Sequence, residues 1–340
     1  MVQYFADIGG FDAIINLLKF SADVNDVYPE ESKSESVKKE KDASTIRISF
    51  SMIQDLCSPF THIGNVLTQE FSDKYTKLVS KILEQRMQGM SEKDIKEVDK
   101  DEICGVLPRL SEFFRVGMTP SEGAEVVERS SLYIALRFLK SENLEKRLKG
   151  LNDIRYMVDR VQQLWRYERF KARSGGNAYQ YKMQYESRFN PSKFMNVESM
   201  SQWLLENQVL EIILGGSAHI EIVKRAGMIL KFVFKYGEGK FDEEAVNLLW
   251  KAQEGKFEDM VRAVYNLIEE VQQSFSLKVI DSFFSKIKDV PLQQFDEKHL
   301  NFLREFTKTA LDKTYRDKLQ QFQAQVGAAD GDAQFDALLT

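Results

Sequence analysis

Apolar side chains return every three or four positions along most of this chain, the spacing that lines one face of an α-helix. Ile63, Val66, Leu67, Phe71, Tyr75, Leu78, Val79, Ile82 and Leu83 make one such stripe. Ile103, Val106, Leu107, Leu110, Phe113 and Phe114 make the next, with Pro108 expected to bend or divide it. Thr119-Pro120-Ser121-Glu122 has the form of a helix start: a cap, a proline at the first helical position and a glutamate that closes a capping box. That helix carries Val126, Val127, Leu132, Ala135, Leu136 and Leu139, and a further stripe runs from Leu144 to Trp165. From His219 to Tyr236 the chain is apolar nearly all round, which predicts a helix enclosed by neighbours. Gly237-Glu238-Gly239 ends it, Asp242 is placed to cap the next helix, and Gly255 ends that one in turn. Stripes then follow through Phe257–Val271, Leu277–Ile287 and, after Pro291, Leu300–Ala310, with a weaker helix through Tyr315, Leu319 and Phe322.

Helix pairs open near Ala218, Phe257 and Glu297, a step of about 40 residues and the period of armadillo and HEAT repeats. A pair of this kind cannot bury its own apolar face and must stack on a neighbour. The expected fold is all-α, an armadillo- or HEAT-like superhelical solenoid of stacked helix pairs. The alternation of Ile46, Ile48 and Phe50 is too short to compete as a strand. Three stretches interrupt the pattern. Residues 21–44 are charged and serine-rich, residues 172–193 hold Gly175-Gly176-Asn177 and Asn190-Pro191, and residues 327–340 are rich in Ala, Gly and Asp. The expected organisation is N-terminal repeats over 1–171 with a disordered insertion at 21–44, a flexible loop over 172–193, C-terminal repeats over 194–326, and a disordered tail over 327–340.

Composition narrows the function. The chain has 43% hydrophobic and 29% charged residues, with 24 Phe for a core and only 6 Pro to break helices. A net charge of −5 makes the whole chain a poor non-specific ligand for nucleic acid. Cys57 and Cys104 provide neither a disulfide framework nor metal-ligand spacing, which fits a reducing interior. No signal peptide is read at the start and no apolar run is long enough to span a bilayer, so cytoplasm or nucleus is the expected location.

Candidate chemistry is sparse. Both cysteines lie on apolar helical stretches and read as small core residues rather than nucleophiles. His62, His219 and His299 each stand alone near a helix start and read as capping or surface residues. Gly9-Gly10 and Gly215-Gly216 lack the flanking lysine and strand of a phosphate loop and read as turns. No cofactor or metal is expected. Between Lys140 and Arg173 basic residues cluster: Lys146, Arg147, Lys149, Arg155, Arg160, Arg166, Arg169, Lys171 and Arg173. Tyr156 and Tyr167 are interleaved, and Tyr179, Tyr181 and Tyr185 follow. A solvated helix face, a protein-binding ridge around Arg155, Arg166 and Arg169, and a nucleic-acid surface all fit that composition, the plain face weighing most.

Leu144-Glu145-Lys146-Arg147-Leu148-Lys149-Gly150-Leu151-Asn152-Asp153-Ile154 begins an extended likeness to known proteins. It continues through WLLENQVLEIILGGSAHIEIVKRAGMILKFV, from Trp203 to Val233, and FDEEAVNLLWKAQEGKFEDMVRAVYNLIEEV, from Phe241 to Val271. The opening Tyr4–Asp12 joins in. Together these stretches resemble the armadillo-like region that precedes the catalytic domain in large ubiquitin-specific proteases of the fat-facets type. The likeness covers roughly 1–20 and 45–312. It implies a non-catalytic scaffold that recruits substrates or partners in ubiquitin removal, the partners being proteins, ubiquitinated substrates or deubiquitinase-associated factors among them. The family's Cys box, of the kind Gly-Asn-Thr-Cys-Tyr, and its His box do not occur here. Ser58-Pro59 follows Cys57 and Gly105 follows Cys104, so no catalytic residue carries over. A fragment of an active cysteine-type protease and a nucleic-acid-binding solenoid are the alternatives.

Overall fold

In the computed structural model the described residues are 8–10, 12–13, 16, 50–63, 69–88, 90–97, 100–173, 196–237, 239–240 and 242–326. The segments expected as insertion, loop and tail (21–44, 172–193 and 327–340) lie outside them, but for Ala172 and Arg173 at the end of a helix. Among the described residues every regular element is helical: α1 Phe50–Ile63, α2 Gln69–Gln88, α3 Glu92–Glu97, α4 Lys100–Phe114, α5 Pro120–Lys140, α6 Leu144–Arg173, α7 Val197–Glu206, α8 Val209–Leu214, α9 Ile220–Val223, α10 Gly227–Tyr236, α11 Asp242–Lys251, α12 Glu258–Val271, α13 Leu277–Lys288 and α14 Glu297–Val326. Packing divides the chain into Met1–Ser199 and Met200–Thr340.

In the first unit α1 packs on α4, α2 and α4 pack on α5, and α5 pairs with α6 along much of its length. The core between α1, α2 and α4 is aromatic. Phe60, Tyr75 and Phe113 meet with ring centroids 4.6–6.4 Å apart, and Ile53, Cys57, Val79, Leu83 and Leu110 close around them. That burial holds α4 continuous through Pro108, where the sequence suggested a break. The backbone hydrogen bond lost at the proline is outweighed by burial of Leu107, Leu110, Phe113 and Phe114. Of the long stripe expected from Ile63 onward, Ile63 closes α1, Gln69 opens α2, and Val66 and Leu67 lie outside the described residues.

The start of α5 is as the sequence indicates. Thr119 Oγ1 accepts from the Glu122 N–H at 3.3 Å, and a Glu122 carboxylate oxygen accepts from the Thr119 N–H at 2.9 Å. The backbone and hydroxyl of Thr119 hold the Glu122 carboxyl below the usual carboxylate range. Leu132, Ala135, Leu136 and Leu139 of α5 and Leu151, Ile154, Val158 and Val161 of α6 are all buried where the two helices pair. The helices come close because residue 150 is glycine: a Cβ there would sit 2.3 Å from the Ala135 carbonyl oxygen and 2.5 Å from the Leu139 nitrogen. Arg160 pairs with Glu128 at 3.0 Å across the same contact, Glu128 being only 5% exposed.

The second unit is built in two layers. α8, α11 and α13 pack side by side, and α9 with α10, then α12, then α14, make the second row. Helices one step apart in sequence therefore sit in different rows and helices of one row touch across the step, which is how a repeat without a self-sufficient core buries its apolar faces. Aromatic rings tie successive steps: Phe234 to Phe275 at 4.7 Å, Phe275 to Phe283 at 5.0 Å, Phe283 to Phe306 at 5.7 Å, and Tyr265 stacked on Phe302 at 4.5 Å. The helix expected over His219–Tyr236 is two helices, α9 and α10, parted at Lys224–Ala226. His219 caps α9, its Nδ1 accepting from the Glu221 N–H at 3.2 Å. Asp242 is the first residue of α11 rather than its cap, and its carboxylate accepts from Ser276 Oγ at 3.2 Å. Gly239 and Gly255 take φ of 76° and 64° in the turns after α10 and α11, a region glycine enters without strain. Leu300–Ala310 and Tyr315–Phe322 belong to one helix, α14.

Candidate functional site

The basic ridge expected around Arg155, Arg166 and Arg169 lies on α6. Eleven residues make three turns, so Arg155 and Arg166 share a face but stand about 16 Å apart along the axis. Arg166 and Arg169 are neighbours one turn apart, both exposed. The Arg169 guanidinium lies 4.6 Å from the centroid of the Trp165 ring, a cation–π contact that fixes its direction. Arg155 is half-buried. Its Nη1 donates to Asn152 Oδ1 at 3.2 Å, while its Nε is buried without a hydrogen-bond partner. Asp159, between Arg155 and Arg166 on this side, accepts from Gln163 Nε2 at 2.6 Å and interrupts the positive surface.

The structure thus brings two of the three arginines together and sets the third apart. The other cations of the segment are largely spoken for: Arg160 by Glu128, Lys149 by Asp153 at 2.7 Å, and Lys146 over the Phe138 ring at 5.3 Å. The end of α6 presents cationic and aromatic side chains at the surface. Phe170, 48% exposed, lies one turn beyond Arg166, and Tyr156, 63% exposed, lies further back. Sequence reading named Tyr156 but not Phe170. The signal was present, for Phe170 falls off the Leu151–Val161 core stripe.

The cysteine and histidine positions place no reacting constellation among the described residues. Cys57 is 1% exposed in the α1–α2–α4 core, and burial pushes its thiol up to about 12, the opposite of an activated nucleophile. Cys104 lies on α4, its side chain outside the described residues, as is that of His62. The His299 ring contacts Tyr265 and Phe295, and its Nδ1 is 2.7 Å from Asp296 Oδ1. Hydrogen bonds from the His299 backbone and ring hold the Asp296 carboxyl low. Asp296, not His299, caps α14: it accepts from the His299 N–H at 2.9 Å. Among the described residues no three His, Cys, Asp or Glu side chains converge as metal ligands, and no helix is long and apolar enough to cross a membrane.

Among the grooves of the second unit are two bordered by described residues. One of about 620 Å³ is bordered by Trp250, Lys256, Lys286, Asp289 and His299. The other, about 630 Å³, lies between α9 and α12 and is bordered by Ile220, Lys224, Asp259, Arg262, Asn266 and Glu270. Three of the charges bordering the second groove pair with residues beside it: Lys224 with Glu221 at 3.0 Å, Arg262 with Glu258 at 3.1 Å, and Glu270 with Lys231 at 2.8 Å.

An all-α array of short helices in two rows, with rings bridging successive steps, defines a helical-repeat protein of the armadillo type. Comparison with known families agrees: the family described as the UBP24/USP9X/USP9Y ARM repeat matches residues 125–320. The chain belongs to this family. Among its relatives, ubiquitin carboxyl-terminal hydrolase 9Y of Mus musculus is 26% identical over 242 residues, covering 69% of this chain and 9% of that protein. The probable ubiquitin carboxyl-terminal hydrolase FAF of Drosophila melanogaster is 20% identical over 295 residues, covering 84% of this chain and 10% of its own length. Ubiquitin carboxyl-terminal hydrolase 34 of Homo sapiens is 26% identical over 129 residues, 38% of this chain and 3% of the relative. The chain therefore spans about a tenth or less of the length of these curated relatives.

Proposed function

We propose that this chain is a non-catalytic protein-interaction scaffold that recruits substrates or associated factors for ubiquitin removal, in the cytoplasm or the nucleus. The observation that carries the reading is the family match, which falls on helical repeats and on proteins named as ubiquitin carboxyl-terminal hydrolases. The docking ridge in this reading is the Arg166–Arg169–Phe170 end of α6, with Arg155 an outlying contact. Rigid helices with exposed arginine and aromatic side chains are the usual anchors of protein contacts. The stretches 21–44 and 172–193 are read as interruptions of the repeat array, the second parting its two halves.

The test is affinity capture from cell extract with the wild-type chain and with Arg155→Glu/Arg166→Glu/Arg169→Glu. The wild type recovers specific proteins, some of them ubiquitinated, and the variant recovers at least about fivefold less, as loss of an arginine anchor entails. Recovery of nothing above background contradicts the scaffold reading, and equal recovery by the variant removes the ridge. The relatives' names favour one competing reading, a cysteine-type hydrolase acting on ubiquitin conjugates. The buried thiol of Cys57 weighs against it, and labelling of Cys57 or Cys104 by a ubiquitin-based activity probe would establish it.

A further inference from the structure

We infer that the second half of α14 is a docking face for an acidic amphipathic helix supplied by a partner protein. Through Phe302, Phe306 and Ala310, all buried, the first half of α14 packs on its own unit. Helical geometry places Leu311, Tyr315 and Leu319 on the opposite side, where successive steps of four residues keep them in one seam. Leu311, Tyr315 and Leu319 are 66%, 70% and 42% exposed. A helix apolar on two opposite sides is built to lie between neighbours, and Leu311, Tyr315 and Leu319 stand exposed on the side away from Phe302, Phe306 and Ala310.

Charge selects the occupant. From Lys308 to Leu319 the seam is flanked by Lys308, Arg316 and Lys318, all exposed, against the single exposed acid Asp312. The surroundings are basic although the chain carries a net −5. A second copy would set Lys308, Arg316 and Lys318 against their own duplicates, so self-association is disfavoured. A narrow seam on a straight helix receives another helix, seam to seam, with carboxylates on its flanks opposite the lysines and the arginine. An anionic bilayer shares the charge preference but needs a broad apolar face free to lie in the interface plane. Here the first half of α14 is held within the repeat.

The test uses the full chain and a fluorescein-labelled designed helix of about eighteen residues, five turns, with a leucine seam and glutamates on both flanks. A control peptide has every glutamate replaced by lysine. Fluorescence anisotropy is expected to show saturable binding of the acidic peptide and at least about tenfold weaker binding of the basic one, as opposed charges across a contact entail. Tyr315→Ser/Leu319→Ser should weaken binding of the acidic peptide at least about tenfold, as loss of a central anchor entails, with an unchanged circular-dichroism spectrum, since both side chains are exposed. Lys308→Glu/Lys318→Glu should shift preference to the basic peptide. The proposal is overturned by equal affinity for both peptides, by binding to neither, by binding to phosphatidylserine vesicles in place of the peptide, or by a dimer in light scattering that Tyr315→Ser/Leu319→Ser abolishes. These outcomes are independent of the α6 ridge and of any tie to ubiquitin.

Discussion

α6 and α14 are each 30 residues long, and each is anchored along an earlier stretch and turns exposed side chains outward in its last turns. In α6 the anchor is Leu151 to Val161 against α5. In α14 it is Phe302 to Ala310 against α12 and α13. The outward halves differ. That of α6 carries Arg166, Arg169 and Phe170 beside Trp165, polar enough to stand in water. That of α14 carries an apolar seam with basic flanks. The comparison teaches that burial along one stretch is enough to anchor a long helix, while the composition of its exposed turns is free to differ. The anchors differ in kind too: α6 adds to its aliphatic stripe a close backbone approach at Gly150 and the Arg160–Glu128 ion pair, and α14 relies on rings.

The comparison breaks most sharply at Phe306. Phe306→Ala removes a ring packed against Phe283, Phe284 and Phe302 and should cost about 4 kcal/mol in chemical denaturation. Leu311→Ala, one residue past the anchor, should stay within about 0.5 kcal/mol. Comparable losses at the two positions would erase the distinction between halves. Gly150→Ala probes the other anchor. A methyl group there strikes the α5 backbone, which cannot move aside as a side-chain tip would, and the expected loss is about 2 kcal/mol. An unchanged unfolding midpoint would mean that α5 and α6 are not in close contact.

The smallest expected effect concerns pH. Glu244 of α11 shares a hydrogen bond with Glu211 of α8, which raises its carboxyl above the usual range, with burial and like-charge repulsion adding to the rise. An acid with a raised folded pKa contributes stability when protonated, and that contribution is lost as pH climbs through the folded value. At pH 7 Glu244→Gln should therefore stabilise, by less than about 1 kcal/mol at so exposed a site, and the gain should vanish as pH falls below the carboxylate range. Glu122 has the opposite sign. Its lowered carboxyl supports the start of α5 at neutral pH, and that support fades on acidification. A pH-independent effect of Glu244→Gln would mean the two carboxylates do not meet.

Local signals were legible in the sequence, and signals that depend on distant partners were not. Thr119 to Glu122 specify a helix start by themselves, and the structure has it. The period marked by Ala218, Phe257 and Glu297 was legible because each opens a helix of the same row. The parting of α9 from α10 was not, for Lys224-Arg225-Ala226 contains no breaker and Gly227 lies against the Glu270 carboxylate of α12, which tertiary packing alone brings there. Pro108 is the converse, a true local signal overridden by the core on α1. The pairing of Arg160 with Glu128 was not legible either, because nothing in the neighbourhood of Arg160 reveals the partner that the packing of α5 on α6 brings to it.

Native-state hydrogen exchange on the isolated chain tests the central claim, that each long helix is anchored at one end and offered at the other. Amides from Leu151 to Val161 and from Phe302 to Ala310 should exchange only with global unfolding. Those from Arg166 to Phe170 and from Tyr315 to Phe322 should exchange at least about a hundredfold faster, since fewer packed neighbours must open. Uniform protection along α6 and α14, or faster exchange in the anchored halves, would contradict the account.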